Sequence, residues 1–238
     1  MNKIVITAGG TSEKIDNVRK ITNSSSGKLG MTIANHLLEE KDNLIYYVCS
    51  KNSLRPRDER VKIIEIDGTI DLKNKIESLL LTEKIDDFVH SMAVSDYMTN
   101  YVTTIERVKE SIKNTNNIDN AFSNIEIING NKISSHEDNL VIVLKPTPKI
   151  ISLIKDLSPS TYLVGFKLLD GVSKEELLSV AKKLRDKNKC DLVVANDLST
   201  IRNGEHIAYI IDKDDEIEES RGKDDIAKKL VRRMKYEK

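Results

Sequence analysis

Short runs of β-branched and apolar residues alternate along this chain with longer stretches whose apolar positions recur at helical spacing, and this alternation most limits the folds open to it. Strand, helix, strand in this order predicts parallel strands joined by crossover helices. Ile4–Thr7, Leu44–Cys49, Lys62–Ile66 and Asp87–Ala93 read as strands, with helices over Lys28–Glu40 and Ile70–Leu81. The pattern breaks from Tyr97 to Asn139, where Asn114-Thr115-Asn116-Asn117 and Asn129-Gly130-Asn131 supply turn residues, and this stretch reads as a flap or insertion. Alternation resumes with strands Leu140–Leu144, Tyr162–Phe166, Asp191–Ala195 and His206–Asp212, with helices from about Pro148 to Lys155, from Lys174 to Lys187 and from about Lys223 onward. Ser173 is a helix N-cap by pattern, with Glu176 completing a capping box. The expected fold is α/β, a Rossmann-like, mainly parallel sheet with helices on both faces and a flap over about 97–139, in one unit spanning 1–238.

Charge removes one class of partner. Across 238 residues, 38 Lys plus Arg balance 38 Asp plus Glu, so nothing in the net charge drives the chain toward nucleic acid. Its longest uninterrupted apolar run, Leu44–Cys49, is far short of the about 20 residues that cross a bilayer, and no signal-peptide pattern opens the sequence, so no membrane partner and a cytoplasmic location are expected. Cys49 and Cys190 are remote from each other in separate apolar segments and read as small core residues.

In an open parallel sheet, ligands collect beyond the carboxyl ends of the strands, where loops converge and helix N-termini present free N–H groups. The first such connection runs through Ala8-Gly9-Gly10-Thr11-Ser12 and then Arg19-Lys20-Ile21-Thr22-Asn23-Ser24-Ser25-Ser26-Gly27-Lys28-Leu29-Gly30. Its glycines permit close backbone approach, and its hydroxyls and N–H groups can donate to oxyanions. It is not a Walker A loop, since Leu29 follows Lys28 and Thr22 stands where the leading glycine would fall, and no GxGxxG follows the strand. The histidines at 36, 90, 136 and 206 have no metal-ligand spacing. Tyr47 with Lys51, and Tyr209 with Lys213, fit the YxxxK spacing of short-chain dehydrogenases but begin on strands rather than helices.

The segments Ile6-Thr7-Ala8-Gly9-Gly10-Thr11 and Val18 through Gly30 closely resemble the signature of phosphopantothenate-cysteine ligase, the phosphopantothenoylcysteine synthetase of coenzyme A biosynthesis. Four further segments agree in order: Ala93-Val94-Ser95-Asp96-Tyr97, Lys145-Pro146-Thr147-Pro148-Lys149-Ile150, Val164-Gly165-Phe166-Lys167 and Asp191 through Asp197. The resemblance implies a two-step ligation with magnesium. The carboxylate of 4'-phosphopantothenate attacks the α-phosphate of CTP, releasing pyrophosphate, and the amine of L-cysteine then displaces CMP to form an amide. CTP is the choice of the bacterial members, whereas eukaryotic relatives can use ATP. The resemblance further implies a homodimer. It also implies a freestanding ligase beside a separate phosphopantothenoylcysteine decarboxylase, because 238 residues leave no room for the fused flavin-dependent domain of many bacteria.

Carried over by motif position, Asn23 contacts the acyl group, with Arg19, Gly9, Gly10, Ser25, Ser26 and Gly27 in the substrate site. An amide donor suits an acyl carbonyl and a guanidinium suits phosphate or carboxylate. Ala93, Asp96, Lys145 and Phe166 match nucleotide-binding positions, and Lys132 matches a catalytic flap lysine that closes over the triphosphate. Lys183 and Lys187 match nucleotide-contacting lysines only with one residue inserted before Asp191. Two departures stand out: Ser134 and Ser135 replace the last two lysines of the family's KxKK flap, and Ser91-Met92-Ala93 occupies a stretch of usually small residues. Magnesium is expected through the nucleotide phosphates rather than through protein ligands. Two rival readings remain at this point, a nicotinamide-dependent oxidoreductase and a nucleotide-binding module without chemistry.

Overall fold

The computed structural model describes residues 1–115, 118–123, 125–128 and 132–236. The turn residues Asn116, Asn117, Asn129, Gly130 and Asn131 lie outside the described residues. The chain runs β1 (Asn2–Ala8), β2 (Ser12–Lys14), β3 (Lys20–Thr22), α1 (Lys28–Leu37), β4 (Asn43–Ser50), β5 (Val61–Ile66), α2 (Thr69–Thr82) and β6 (Asp87–His90). It continues with β7 (Tyr97–Thr104), α3 (Ile105–Lys113), α4 (Ile118–Ser123), β8 (Leu140–Pro146), α5 (Ile150–Leu157), β9 (Tyr162–Leu169) and α6 (Lys174–Asn188). The last elements are β10 (Leu192–Asp197), α7 (Leu198–Arg202), β11 (Ile207–Asp212), β12 (Ile217–Arg221) and α8 (Gly222–Tyr236).

Eight strands form the main sheet in the order β12-β11-β10-β9-β6-β1-β4-β5. The strands from β9 to β5 in that order are parallel, joined at β10, and β11 and β12 are antiparallel additions at one edge. Alternation along each strand divides the core, because successive side chains point to opposite faces. Ile4, Ile6 and Ala8 of β1 with Ile45, Tyr47 and Cys49 of β4 meet Ile33, Ala34 and Leu37 of α1 and Ile226, Ala227 and Leu230 of α8. On the other face, Val5, Tyr46, Val48, Phe88 and Leu163 meet Leu72 and Ile76 of α2, Ile150 and Ile154 of α5, and Leu177 and Ala181 of α6. Burying one such side chain contributes about 1.5–3 kcal/mol, so helices covering both faces are what the near-continuous apolar runs of β1 and β4 demand. This is the Rossmann-like α/β fold the alternation predicts.

Four details differ from expectation. Leu140–Leu144 is not a strand of the main sheet: β8 pairs antiparallel with β7 in a separate hairpin, so the insertion extends past Asn139 to Pro146. The reason is burial, since no residue of β8 is buried and the center of a doubly covered sheet has no place for such a strand. The insertion also holds regular structure, β7, α3 and α4, and buries Val102, Ala121, Ile125 and Ile133. Strand β6 stops at His90, three residues early, where the chain moves off to a single bridge between Ala93 and Gly10. Finally, the charged stretch after β11 contains β12, whose pairing to β11 compensates for its polar sequence. Ser173 does cap α6, its Oγ accepting the Glu176 N–H at 3.1 Å.

Candidate functional site

Strands β4 and β5 lie on one side of β1, and β6, β9 and β10 lie on the other, so the crossover direction reverses between β1 and β6. Loops after β1 and β6 therefore diverge from a common point, the place where open α/β sheets bind ligands. Here the loops are stitched together by backbone bonds from Ala93 N–H to Gly9 O at 2.9 Å and from Thr11 N–H to Ala93 O at 3.1 Å. The Thr11 hydroxyl adds a bond to Ser95 Oγ at 3.1 Å and accepts the Ser95 N–H at 2.9 Å.

The two glycines are there for close approach. A Cβ at Gly10 would stand 1.8 Å from the Asn23 carbonyl oxygen, and one at Gly9, whose φ of +85° is itself left-handed, would stand 1.9 Å from Ser53 Oγ. The Asn23 backbone is held by its N–H donating to Thr11 O at 3.1 Å, and the loop after it by Leu54 N–H donating to Ser26 O at 2.9 Å. Gly27, also left-handed, opens α1 without a side-chain cap, and no acidic residue occupies that helix's first turn. The Gly27 and Lys28 N–H groups donate to Ser25 and Ser26 Oγ at 3.5 and 3.4 Å, so what this end of α1 offers an anion is its dipole and the next N–H groups, those of Leu29 and Gly30. Asn23 and Ser25 line a cleft of about 430 Å³ with Gly10, Ser12, Lys20, Thr22, Ser24, Ser50, Lys51, Asn52, Ile66 and Asp67. Among the described residues the Asn23 side-chain amide has no hydrogen-bond partner, which leaves both its donors for a ligand.

Arg19 is placed differently from a free substrate cation. Its Nη2 lies 3.1 Å from Asp16 Oδ2 and donates to the Ile133 carbonyl at 2.5 Å. Asp16 is a hub: Oδ1 accepts the Val18 and Arg19 N–H groups at 2.8 and 2.7 Å, and Oδ2 accepts the Ile133 N–H at 3.0 Å. These N–H donors, that of Arg19 foremost, hold the Asp16 carboxyl at about 2. Because Ile133 adjoins Lys132, the Asp16–Arg19 pair anchors the root of the proposed flap lysine, which is itself exposed. The serines that replace flap lysines form a turn, Ser134 Oγ accepting the His136 N–H at 3.1 Å.

On the other side of the Gly10–Ala93 bridge stand Ala93, Asp96 and Phe166. Asp96 is exposed and ion-paired with Lys149, and its carbonyl accepts the Thr147 N–H at 3.0 Å, which ties the root of the β7–β8 hairpin to the loop after β6. Lys145, opposite Met98, lies on that same hairpin. Phe166 is not at a strand end, because β9 continues to Leu169; it is the first β9 residue past the last β6 pair, His90 with Gly165, and so flanks the loop that carries Ala93. Met92 is buried in the core beneath, so its bulk does not enter the site.

Lys183 and Lys187 are not brought to this cluster. Helix α6 starts beyond the carboxyl end of β9 and runs back to the amino end of β10, where Asp191 N–H donates to Leu163 O at 2.8 Å. At 1.5 Å of rise per residue, Lys183 lies roughly 15 Å and Lys187 roughly 20 Å along the helix from its site-facing start. Both are exposed, on the helix face opposite buried Leu177 and Ala181. The YxxxK pair also fails: Tyr47 is fully buried, with its hydroxyl donating to Leu54 O at 3.0 Å. Cys49 and Cys190 are free and buried, as expected.

Sequence reasoning gave no role to Asp16, Lys51 or Lys149. Asp16 carried a usable signal, since an Asp three residues before a candidate Arg is the pattern of a side chain that bonds its own backbone turn. Lys51 carried none, because only the fold brings the end of β4 against the loop of Asn23.

Comparison with known proteins places these features in context. The DNA/pantothenate metabolism flavoprotein C-terminal domain family matches residues 1–130 and 120–236. The coenzyme A biosynthesis bifunctional protein CoaBC of Thermococcus kodakarensis is 34% identical over 235 residues, covering 99% of this chain and 48% of that protein. This chain spans about half the length of the curated relatives it first matches. Among solved structures, the DNA/pantothenate metabolism flavoprotein from Streptococcus pneumoniae is 36% identical with a TM-score of 0.85, covering 100% of both chains. A Cab2 variant solved in complex with phosphopantothenate-cysteine shares the fold, with a TM-score of 0.69 at 16% identity over 98% of this chain and 86% of that one.

Proposed function

This chain belongs to the DNA/pantothenate metabolism flavoprotein C-terminal domain family, and from that premise we propose that it is a phosphopantothenate-cysteine ligase of coenzyme A biosynthesis. The carboxylate of 4'-phosphopantothenate attacks the α-phosphorus of CTP and pyrophosphate leaves. The amine of L-cysteine then attacks the acyl carbon of the resulting acyl-cytidylate, and CMP leaves as the amide forms. The observation that carries the reading is Asn23, an unpartnered amide over the cleft at the point where the loops after β1 and β6 diverge. Its N–H groups donate to the acyl oxygen and stabilize the negative charge that develops there when the amine adds. Gly10 sets the height of that amide by admitting the Asn23 carbonyl against its Cα. Ser24 through Gly27 and the open end of α1 receive phosphate oxygens, Asp96 and Phe166 lie beside the nucleotide, and Lys132 closes over the triphosphate from a root fixed by Asp16 and Arg19.

The reading includes magnesium, which neutralizes triphosphate charge when bound. In this reading the cation is carried by the nucleotide phosphates and waters rather than by a protein cage, because magnesium keeps much of its hydration shell, and Asp96 is the carboxylate on the proposed nucleotide side. No described helix is long and apolar enough to cross a membrane, and the two free cysteines fit the reducing cytoplasm as the place of action. A homodimer is part of the same reading, with the exposed Tyr97, Phe122 and Leu144 of the β7–β8 insertion as its contact candidates.

The test is pyrophosphate release with 4'-phosphopantothenate and magnesium, comparing CTP with ATP, each with and without cysteine. Multiple turnover that requires cysteine, with the amide seen by mass spectrometry, supports the ligase and names its nucleotide. Folded protein that releases no pyrophosphate with either nucleotide refutes it.

A further inference from the structure

Taking the ligase reading as its basis, we infer that the cleft at the carboxyl ends of β4 and β5 receives the acid substrate, and that Lys51 binds that substrate's phosphate group. The argument starts from direction. Asn23 is where the carboxylate and the α-phosphate meet, and the nucleotide-side residues Ala93, Asp96 and Phe166 lie across the Gly10–Ala93 bridge toward β6 and β9. An extended acid activated at Asn23 has to lead its other end away from the nucleotide. The cleft of about 430 Å³ that begins at Asn23 and reaches Lys51, Asn52 and Asp67 occupies that side.

The lining suits such a ligand. Ser12, Thr22, Ser24, Ser25, Ser50 and Asn52 give it a polar wall, Ile66 is the one large apolar side chain, and no aromatic ring offers a base a surface to stack on. A chain of hydroxyl and amide groups ending in a phosphate matches this wall better than a nucleobase does. Charge then selects the residue. Of the two lysines on the wall, Lys20 is committed to Asp67, which also holds Lys14 at 3.1 Å, and these lysines keep the Asp67 carboxyl below its ordinary range, Lys20 first. Lys51 has no ion pair among the described residues and leaves the wall with one surplus positive charge.

Its position is preset. Ser53 N–H donates to Ser50 O at 3.0 Å and the Ser50 and Ser53 hydroxyls bond at 2.7 Å, so Lys51 and Asn52 sit at the tip of a closed turn. That turn is keyed into the bare Cα of Gly9 and tied to the Asn23 loop through Leu54 and Ser26. The distance from Asn23 to Lys51 is therefore set by the fold rather than by the ligand.

The experiment measures binding by titration calorimetry on the full chain, using 4'-phosphopantothenate, unphosphorylated pantothenate, and CTP with magnesium. Lys51→Gln, at an exposed site that folding does not need, raises the Kd for 4'-phosphopantothenate about 10-fold to 100-fold, the range of a lost charge-assisted bond, and does not move pantothenate or CTP. Asp67→Asn, which releases Lys20 and Lys14, tightens 4'-phosphopantothenate. If Lys51→Gln weakens CTP instead, the phosphate held there belongs to the nucleotide and the inference is overturned. It is equally overturned if neither variant changes any Kd. A wild-type chain that binds no 4'-phosphopantothenate and releases no pyrophosphate refutes the ligase reading itself, and the inference falls with it.

Discussion

Replacing Gly10 by Ala tests whether the height of Asn23 above the sheet decides activity. The backbone at Gly10 is one that alanine can adopt, so the whole effect comes from the added methyl. That methyl would lie 1.8 Å from the Asn23 carbonyl oxygen and 2.9 Å from its carbon, both backbone atoms that cannot rotate away. Restoring the 3.4 Å of ordinary contact moves the Asn23 backbone by about 1.6 Å and breaks its 3.1 Å bond to Thr11 O. A displacement near 1 Å at a reacting group costs about 100-fold in rate, about 2.7 kcal/mol of barrier. Gly10→Ala is therefore expected to lower kcat/KM for pyrophosphate release by at least about 100-fold while the far-ultraviolet circular dichroism stays native. Gly204→Ala is the control. Its φ is +85° with no atom within 4 Å, so it costs roughly 1 kcal/mol of stability through backbone strain and leaves turnover alone. A Gly10→Ala enzyme within threefold of wild type would refute the placement of Asn23.

Asn23→Ala is expected to reduce kcat about 100-fold to 1000-fold, by analogy with loss of one oxyanion donor, as read by stopped-time pyrophosphate assays. Asp16→Ala should reproduce Lys132→Ala, each raising the KM for the triphosphate more than that for 4'-phosphopantothenate, because both leave the flap lysine without its fixed root or its charge; equal effects on the two substrates would count against this. The Asp16 contribution has a pH window: its carboxyl is lowered to about 2 in the fold, so the stability it lends is full above its ordinary 3.8 and disappears as pH falls toward 2. Hydrogen exchange at residues 132–139 in wild type and Asp16→Ala should converge across that window. His90, buried with Nδ1 2.8 Å from Thr7 Oγ1, is lowered by desolvation from 6.5 to about 4. Its contribution is full above 6.5 and falls by about 3 kcal/mol as pH drops to 4, because only the unfolded chain takes up the proton. Urea titrations from pH 7 to 4.5 should show that decline flattened in His90→Gln, and an unchanged slope would show that His90 does not titrate this way.

What the sequence made legible is what repeats along it. Apolar runs at β1 and β4 declare strands buried on both faces, and the spacing of α1, α2 and α6 declares the helices that cover them, so the sheet and its site-bearing end could be read residue by residue. The β7–β8 hairpin could not, because β8 has the same β-branched run as a sheet strand and differs only in lacking cover, a property of the partner rather than of the run. The motif comparison placed Asn23, Gly10, Ala93 and Asp96 around one point, yet assigned Lys183 and Lys187 to the nucleotide through a one-residue shift. Helical rise sends those lysines to the opposite end of the sheet. Arg19 shows another limit: the carboxylate that holds it, Asp16, is visible only when the turn is closed.

The missing dinucleotide fingerprint has a physical counterpart in this arrangement. In a GxGxxG loop the glycines let a pyrophosphate lie across the first helix start, joining two halves of one ligand. Here the glycine pair serves two different approaches, Gly9 admitting the turn after β4 and Gly10 admitting the Asn23 carbonyl. The loop after β1 is thereby pinned on both sides, to β4 through Leu54 and Ser26 and to β6 through Ala93 and Ser95. A loop held this way stands between the cleft beside β4 and the residues after β6 and presents one amide there, which fits the proposed coupling of two separate substrates better than the binding of one continuous dinucleotide. Loosening either pin should then have distinct consequences. Ser53→Gly, which removes the hydroxyl that closes the β4 turn over Gly9, is expected to raise the KM for the acid substrate; Thr11→Val, which removes the bonds to Ser95, is expected to raise the KM for the nucleotide. Steady-state kinetics with each substrate varied in turn separates the two, and variants that affected both KM values alike would mean that the loop moves as one piece and divides nothing.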